Sequence, residues 1–173
     1  MIETARLVLR PWRPDDRAAF DALFNTPAMM ARLGGLKPPE AMAQIFARRL
    51  NDYARHGLCY WAVIDWQEGV LVGSCGVRVA DNYPGTPVAD QYEAGWRIGE
   101  AYWRRGYALE AAAASIAWLW AERPAAQVLA WTTAENGASL GVMRALGMDR
   151  RSALDFIRPG SGEACLVHGM ARP

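Results

Sequence analysis

The segment between Glu93 and Ala111 constrains the fold more than any other part of the chain. A strand-like run over residues 93–99 leads through Trp-Arg-Arg-Gly-Tyr-Ala, residues 103–108, into a long apolar helix. No Ser, Thr, Asp or Asn stands at the expected N-cap of this helix, so the local sequence supplies no side-chain acceptor for its first-turn amides. Free amides beside two arginines suit an anion, above all a diphosphate, because the helix dipole and the charges act in the same direction. We therefore expect a strand–turn–helix unit that holds an anionic ligand at its turn.

The size and charge of the chain predict one globular domain over residues 1–173. The 173 residues are 52% hydrophobic and 21% charged, which provides a substantial core and argues against disorder. The chain has 19 Lys plus Arg and 18 Asp plus Glu, a formal net charge of +1, so no global field attracts nucleic acid or an anionic membrane. We expect neither of these partners, and any anion must be bound locally.

The cysteines and the apolar runs narrow the class of protein further. Cys59, Cys75 and Cys165 are scattered, form no Cys-x-x-Cys pair and have only two histidines as imidazole partners. This pattern indicates neither a disulfide framework nor a structural zinc site, and we expect no metal. The longest uncharged apolar stretch, residues 111–121, is too short to span a bilayer. The sequence therefore predicts a soluble cytoplasmic protein and leaves its oligomeric state open.

Strand-like and helical segments alternate along the chain in a way that predicts an α+β fold. Strands are expected at 6–10, 59–66, 70–80, 91–99, 127–133, 148–157 and 163–171, and helices from Pro14, at 38–56, at 106–121 and at 137–146. The turn Gln67-Glu68-Gly69 joins two strands as an antiparallel hairpin, whereas helices connect others as crossovers. We expect a central, twisted, mostly antiparallel sheet of about seven strands with about four helices.

Four groups of residues, taken in order, carry a resemblance to a known family. They are Thr4-Ala5-Arg6-Leu7-Val8-Leu9-Arg10-Pro11-Trp12, Glu93-Ala94-Gly95-Trp96, Arg104-Arg105-Gly106-Tyr107-Ala108 with Glu110-Ala111, and Asn136-Gly137-Ala138-Ser139 followed by Met143 and Leu146-Gly147-Met148. Over nearly the whole chain they resemble the GNAT superfamily of N-acetyltransferases. The closer resemblance is to its RimJ/RimL-type branch, which includes ribosomal-protein N-terminal acetyltransferases. The resemblance implies the GNAT-like acyl-CoA N-acyltransferase fold, with acetyl-CoA as co-substrate.

The superfamily's acetyl-CoA turn, Gln/Arg-x-x-Gly-x-Gly/Ala, falls on residues 103–108, where Trp103 replaces the usual first Gln or Arg. By this resemblance the pyrophosphate of coenzyme A would be wrapped, mainly through backbone amides, by Arg104, Arg105, Gly106, Tyr107 and Ala108. Gly106 also has a physical reason, because a backbone that meets phosphate closely cannot carry an inward side chain. Ile98 and Gly99 would pair with the pantetheine arm as if it were another strand. The alternative is a solvated helix start after an ordinary turn.

Acyl transfer from a thioester to an amine needs a neutral amine, stabilisation of the oxyanion and a proton for the departing thiolate. Glu93 resembles the branch's carboxylate that draws the amine proton through water; the alternative is a surface glutamate paired with an arginine. Ser139 would protonate the thiolate, and Asn136 would hold the pantetheine or the start of the next helix. The alternative for Asn136 and Ser139 is an ordinary N-cap and first-turn residue.

The acceptor amine is less constrained than the donor. Deprotonation at pH 7 costs about 1–1.4 kcal/mol for an α-amine and roughly 4.6 kcal/mol for a lysine, so one water-linked carboxylate suits an α-amine better. A protein or peptide N-terminus therefore fits, while antibiotics, polyamines and amino acids stay open as acceptors. Trp96 and Trp103 flank the expected cleft and would shape the acceptor site, and most other tryptophans are predicted to lie in the core.

Two further functions compete with an enzyme of this type. A non-catalytic acyl-CoA-binding module would keep the fold and lose the acceptor site, although Glu93, Asn136 and Ser139 are all present. A phosphate-binding NTPase fits poorly, because the turn lacks the Gly-Lys-Ser/Thr ending that phosphate and magnesium require.

Overall fold

The computed structural model describes residues 1–31 and 33–173, which form nine strands and five α-helices. The strands are β1 (Ile2–Glu3), β2 (Leu7–Arg10), β3 (Tyr60–Asp65), β4 (Val70–Val79), β5 (Tyr92–Ile98), β6 (Gln127–Thr132), β7 (Asp149–Arg150), β8 (Phe156–Ile157) and β9 (Ala164–Ala171). The helices are α1 (Arg17–Phe24), α2 (Pro27–Met30), α3 (Pro39–His56), α4 (Tyr107–Glu122) and α5 (Gly137–Ala145). The expected α+β class is confirmed, with six longer strands at six of the seven expected positions and three strands of two residues each.

The sheet is antiparallel at every pairing but one. Its order is β1-β2-β3-β4-β5-β6-β9-β7, with β8 paired to β9 beside this path. Only β5 and β6 run parallel, because α4 returns the chain across the sheet between them. The single parallel pair therefore lies inside the sheet, and one of its two strands, β5, carries predicted site residues.

Alternation along β5 sends its side chains to two different environments. Ala94 and Trp96 pack into a cluster with α4 and α5 that includes Ile116 and Met143. The other face of the strand carries Glu93, Gly95 and Arg97, and the Arg97 guanidinium reaches the carbonyl oxygens of Phe24 and Met29. The face opposite α4 is therefore the one that α1 and α2 approach.

An aromatic cluster fixes α1 and α3 to the sheet. The Trp12 ring meets the rings of Phe20 and Phe46 edge to face, at centroid distances of 5.2 and 5.8 Å. The Trp12 indole N–H donates to the Tyr60 carbonyl oxygen at 2.6 Å, which satisfies its buried polar atom. This cluster holds both helices beside the first residue of β3.

The strand predicted over residues 148–157 is wrong as one continuous element. It consists of β7 and β8, separated by a 3₁₀ turn at Ser152–Leu154, and both pair with β9. Between them, the Asp155 carboxylate accepts the Val167 N–H at 2.9 Å, in place of a backbone carbonyl. A side-chain hydrogen bond thus replaces one backbone hydrogen bond between the strands and lets the chain bend.

Candidate active site

β5 and β6 separate almost as soon as they pair. The only registered pair between them is Glu93 with Leu129, although both strands continue for several residues in the same direction. Gly99 N–H donates to the Val72 carbonyl, so by antiparallel alternation the amides of Trp96 and Ile98 face away from β4, toward β6. The split thus presents strand amides of the type that an extended, amide-rich arm can pair with.

Trp103 lies outside this split and has a different contact from the predicted one. Its side chain is 51% exposed and does not line the central cavity. The indole N–H instead donates to the Ile98 carbonyl oxygen at 2.7 Å and so ties the turn to the end of β5. The Ile98 carbonyl is therefore already bonded, which leaves the Ile98 amide for any added strand.

The turn before α4 has the backbone expected of an anion-binding loop. Arg104 and Gly106 both have left-handed backbones, with φ values of 61° and 80°. Gly106 occupies the N-cap without a side-chain hydrogen bond, as predicted, and the first helical bond runs from Glu110 N–H to its carbonyl. The amides of residues 107–109 therefore precede the first helical donor and point out of the helix end.

Residues distant in the sequence hold this turn in place. The Arg6 guanidinium donates to the Arg105 carbonyl at 2.8 Å and to the Glu110 carboxylate at 2.7 Å, and Thr4 donates to Glu110 at 2.6 Å. Burial opposes ionisation of Glu110, yet these hydrogen bonds bring its pKa below the usual value. The sequence motifs contained Arg6 and Glu110 without revealing that they contact each other.

A cavity of about 380 Å³ opens on the face of β5 that carries Glu93. It extends into the split between β5 and β6, because residues of both strands and of α5 line it. Its walls bring together predicted residues of two separate motifs: Glu93 and Trp96 from β5, and Ser139 from α5. Asn136 also lines it.

Glu93 is buried beside a cation, so the alternative interpretation is wrong about a surface location, while the arginine pairing that it included is present. The residue is 8% exposed, and its carboxylate forms an ion pair with Arg78, which faces it across the β4–β5 ladder. Burial raises the pKa of Glu93, although the charges of Arg78 and Arg49 and the Tyr60 hydroxyl act in the opposite direction. The result is a carboxylate that accepts a proton more readily than an exposed one.

A glycine makes room for an aromatic ring next to Glu93. Gly76 and Gly95 face each other across the β4–β5 ladder, and Tyr60 pairs with Gly76 from β3. A Cβ at Gly95 would lie 2.5 Å from the ring carbon Cζ of Tyr60, so the ring requires glycine at this position. The guanidinium of Arg49 lies over the Tyr60 ring, 4.7 Å from its centroid.

Asn136 has the capping role that the alternative interpretation gave it. Its Oδ1 accepts the Ser139 N–H at 3.2 Å, and its Nδ2 donates to the Thr132 hydroxyl at 2.9 Å. These bonds fix the start of α5 against the end of β6 and place Ser139 on the cavity wall. A direct contact of Asn136 with the pantetheine stays a prediction.

The cavity side chains that sequence reasoning missed include Tyr60, Arg78, Arg49 and Arg97. Arg78 gave one signal, because it is a charge inside the otherwise apolar strand Val70–Val79. The others gave none, since their significance depends on the sheet register and on α3.

The cysteines contribute packing. All three are buried, and none lines the cavity. Burial raises the pKa of Cys59 to about 12 and that of Cys75 well above its usual value, so both thiols stay protonated near neutral pH. Within residues 1–31 and 33–173, no group of His, Cys, Asp and Glu is arranged to hold a metal ion. No helix in the same ranges is long and apolar enough to cross a membrane.

Three solved structures share the fold. An acetyltransferase from Agrobacterium tumefaciens superposes with a TM-score of 0.81 at 23% identity, covering 99% of this chain and 94% of that one. The ribosomal-protein-S5-alanine acetyltransferase of Vibrio fischeri gives 0.74 at 17% identity, covering 99% and 98%. The spermidine N-acetyltransferase of Vibrio cholerae, solved with CoA and spermine, gives 0.73 at 15% identity, covering 97% and 96%.

Sequence comparison gives the family directly. The uncharacterised protein YkkB of Bacillus subtilis (strain 168) is 30% identical over 146 residues, 84% of this chain and 83% of that protein. The family model for the acetyltransferase (GNAT) domain matches residues 6–149, which include the turn, the split strands and the cavity residues on β3, β4, β5 and α5. The protein therefore belongs to the GNAT family of acetyltransferases, with ribosomal-protein acetyltransferases of the RimJ/RimL-like branch among its structural neighbours.

Proposed function

We propose that the protein transfers an acetyl group directly from acetyl-CoA to a primary amine, for which an α-amine is the best-suited class. The observation that carries the proposal is one cavity whose wall contains both Glu93 and Ser139 and which extends into the split between β5 and β6. The uncapped end of α4 begins a few residues beyond that split. Donor and acceptor can therefore meet at the gap between two strands.

The residues of the turn fit the pyrophosphate of the donor. Left-handed backbone at Arg104 and Gly106 turns successive amides toward one concavity, and the α4 N-terminus adds its positive dipole end. A Cβ on Gly106 would lie 3.3 Å from Arg6 Nη2 and would strain a backbone that suits glycine. Arg104, Arg105, Gly106, Tyr107 and Ala108 would hold the pyrophosphate, and the amide of Ile98 would pair with the pantetheine. The expected pairing of Gly99 through its amide is not available, because the Gly99 N–H is already bonded to the Val72 carbonyl.

Glu93 would take the proton of the attacking amine. Its burial and raised pKa favour proton acceptance, and Arg78 keeps the carboxylate ionised until the proton arrives. Ser139, held by the Asn136 cap, would donate its hydroxyl proton to the departing thiolate. The thioester C–S bond then breaks as the new amide bond forms, and the amine proton leaves through Glu93.

Thiol release tests the proposal. Purified protein is incubated with acetyl-CoA and a panel of amino acids, N-terminal peptides, polyamines and aminoglycosides, and free coenzyme A is measured with a thiol reagent. Release that depends on the amine and saturates with both substrates supports the proposal. The Glu93→Gln variant, tested in parallel, separates transfer from background hydrolysis of the thioester.

The same assay distinguishes an enzyme from the alternative, a non-catalytic acyl-CoA-binding module. A binding module would retain acetyl-CoA in a calorimetric titration and release no thiol with any member of the panel. Glu93, buried and ion-paired with Arg78 beside the split, argues for turnover, since a carboxyl group in such a place is costly to bury for packing alone.

A further inference from the structure

The cavity beside Glu93 has more cationic groups than its carboxylates neutralise. Its described lining holds a single carboxylate, Glu93, and five arginines: Arg48, Arg49, Arg78, Arg97 and Arg158. Three of the arginines have carboxylate partners within ion-pair distance: Arg78 with Glu93, Arg48 with Asp81 and Arg158 with Glu163. Arg49 and Arg97 form no ion pair with any residue in 1–31 or 33–173.

Arg49 reaches the cavity from α3 without a hydrogen-bond partner. Its guanidinium lies over the Tyr60 ring, and its Nε is buried and unbonded among the described residues. Burial lowers the pKa of Arg49 and the charge of Arg78 acts in the same direction, while Tyr60, Asp52 and Glu93 act in the opposite direction. A guanidinium that lies over an aromatic face and forms no ion pair with a described residue has donors left for an incoming anion.

Arg97 reaches the same cavity from β5. Its Nη2 donates to the carbonyl oxygens of Phe24 and Met29, at 3.0 and 3.2 Å, which position the guanidinium but carry no negative charge. Burial lowers the pKa of Arg97 to about 10, and the nearby charge of Arg49 acts in the same direction. The charge of Arg49 thus opposes the charged form of Arg97, and an anion between the two guanidiniums would relieve this repulsion.

The two arginines lie within reach of the reacting end. Glu93 and Arg97 share one face of β5, separated along it by Gly95, and four residues of strand span roughly 13 Å. The Tyr60 ring lies against Gly95, and Arg49 lies over that ring, above the middle of the span. A molecule in the cavity thus meets a carboxylate at one end and free guanidinium donors along the rest.

The phosphates of the donor do not account for these arginines. Residues 104–108 form the turn that is proposed to hold the pyrophosphate, and none of them lines the cavity. The candidate anion site at the α4 N-terminus is therefore separate from the arginines on the β5 face opposite α4.

Resting on the proposed function, we propose that the acceptor is a small amine that also carries a carboxylate. Arg49 and Arg97 bind the carboxylate, and the amine faces Glu93. A guanidinium pairs with a carboxylate through two parallel hydrogen bonds, so two unpaired guanidiniums select this chemistry over a neutral or cationic amine. The cavity of about 380 Å³ suits a molecule of amino-acid size.

Matched acceptors test the assignment in the thiol-release assay. Leucine and leucinamide share a side chain and a primary α-amine and differ at the carboxylate, as do free glutamate and glutamic acid diamide; spermidine is the cationic comparison. Because the carboxylate raises the pKa of the neighbouring amine, kcat/KM is compared per concentration of neutral amine. We expect kcat/KM to be about ten- to a hundredfold higher for the carboxylate member of each pair, the range for a charge-assisted hydrogen bond. Peptides that begin with Asp or Glu form a further arm, and their being the only good acceptors would overturn the small-molecule assignment.

Variants of α3 test whether Arg49 causes the preference for acceptors that carry a carboxylate. Arg49→Gln should remove it by raising KM for the carboxylate acceptors while KM for acetyl-CoA stays unchanged, and Arg49→Lys should restore part of it. Arg55→Gln removes the same charge from the same helix at a site outside the cavity wall, where Arg55 pairs with Asp81, and should behave as wild type.

A binding measurement works independently of turnover. Glutarate, which has carboxylates and no amine, should bind the wild-type protein in a calorimetric titration and bind Arg49→Gln at least tenfold more weakly. Equal rates for acid and amide acceptors, with no effect of Arg49→Gln on glutarate, would overturn the inference and leave the acetyltransferase proposal standing. Absence of thiol release with every acceptor contradicts the proposed function itself.

Discussion

Glu93 combines a catalytic and a structural role in one carboxylate, and the two can be separated. Glu93→Gln should lower kcat by about 10²- to 10⁴-fold, the usual contribution of a general base, with acetyl-CoA affinity retained. The change also leaves Arg78 buried without its partner, which costs about 3–5 kcal/mol when one member of a buried pair is removed. Adding Arg78→Met should recover stability in a denaturant titration without recovering turnover; recovery of turnover would exclude Glu93 as the base.

Gly95 shows how a residue without a side chain determines the cavity. A Cβ there would lie 2.5 Å from Tyr60 Cζ, so Gly95→Ala should displace the ring, lower the free energy of unfolding by about 1–3 kcal/mol and reduce turnover. Gly141→Ala is the matched control, because its Cβ would meet nothing within 4 Å and it lies inside α5. That variant should stabilise the protein by about 0.5–1 kcal/mol in the same denaturant titration.

At the scale of elements, we expect the turn before α4 to affect the binding of the donor, acetyl-CoA, and not that of the acceptor. Gly106→Ala strains a backbone at φ 80° and brings a Cβ against Arg6, so KM for acetyl-CoA should rise several-fold or more. Gly69→Ala has a comparable φ of 68° with nothing within 4 Å, in the turn between β3 and β4. Both variants should lose about 1–2 kcal/mol of stability, and only Gly106→Ala should change KM for acetyl-CoA. Equal KM values for acetyl-CoA in both variants would show that the turn does not take part in donor binding.

Local sequence signals predicted the elements that depend on local physics. The missing cap of α4 and the glycine before it can be recognised within a few residues of sequence, and the structure has both. β7 and β8 have two residues each, less than one full alternation, so no periodic signal separated them from the 3₁₀ turn between them.

The charge arrangement of the site could not be predicted in the same way. Arg78 and Glu93 become partners only through the register of β4 on β5, and Arg49 meets Tyr60 only when α3 lies on the sheet. From sequence alone, an arginine on an amphipathic helix is predicted to face solvent. The arginines of the cavity that lack an ion-pair partner could therefore be identified only from the tertiary structure.

At the scale of the whole molecule, ion pairs set the response to acid. Burial opposes ionisation of Asp16, yet hydrogen bonds and charge from Arg10 and Arg13 lower its pKa in the folded state; Asp81 is lowered against burial by His56, Arg48 and Arg55. A carboxylate with a depressed folded pKa contributes stability above its unfolded value, about 3.9, and loses it as pH falls through the folded value.

The free energy of unfolding should therefore decrease as pH is lowered from about 5 toward 2, measured by urea titration at each pH. Asp16→Asn should make this decrease smaller, because its bidentate bonds to Arg10 at 2.7 Å are lost at every pH. Asp15→Asn is the neighbouring control, exposed and without an ion pair in residues 1–31 and 33–173. An unchanged pH dependence in Asp16→Asn would show that this pair does not contribute.

The central claim is that the uncapped end of α4 and the split between β5 and β6 form the donor site. A calorimetric titration with acetyl-CoA tests it most directly, with wild type, Gly106→Ala and Gly69→Ala compared side by side. The account predicts saturable binding at one site per chain, weakened in Gly106→Ala and unchanged in Gly69→Ala. Absence of binding to the wild-type protein, or equal affinity in all three proteins, would contradict it.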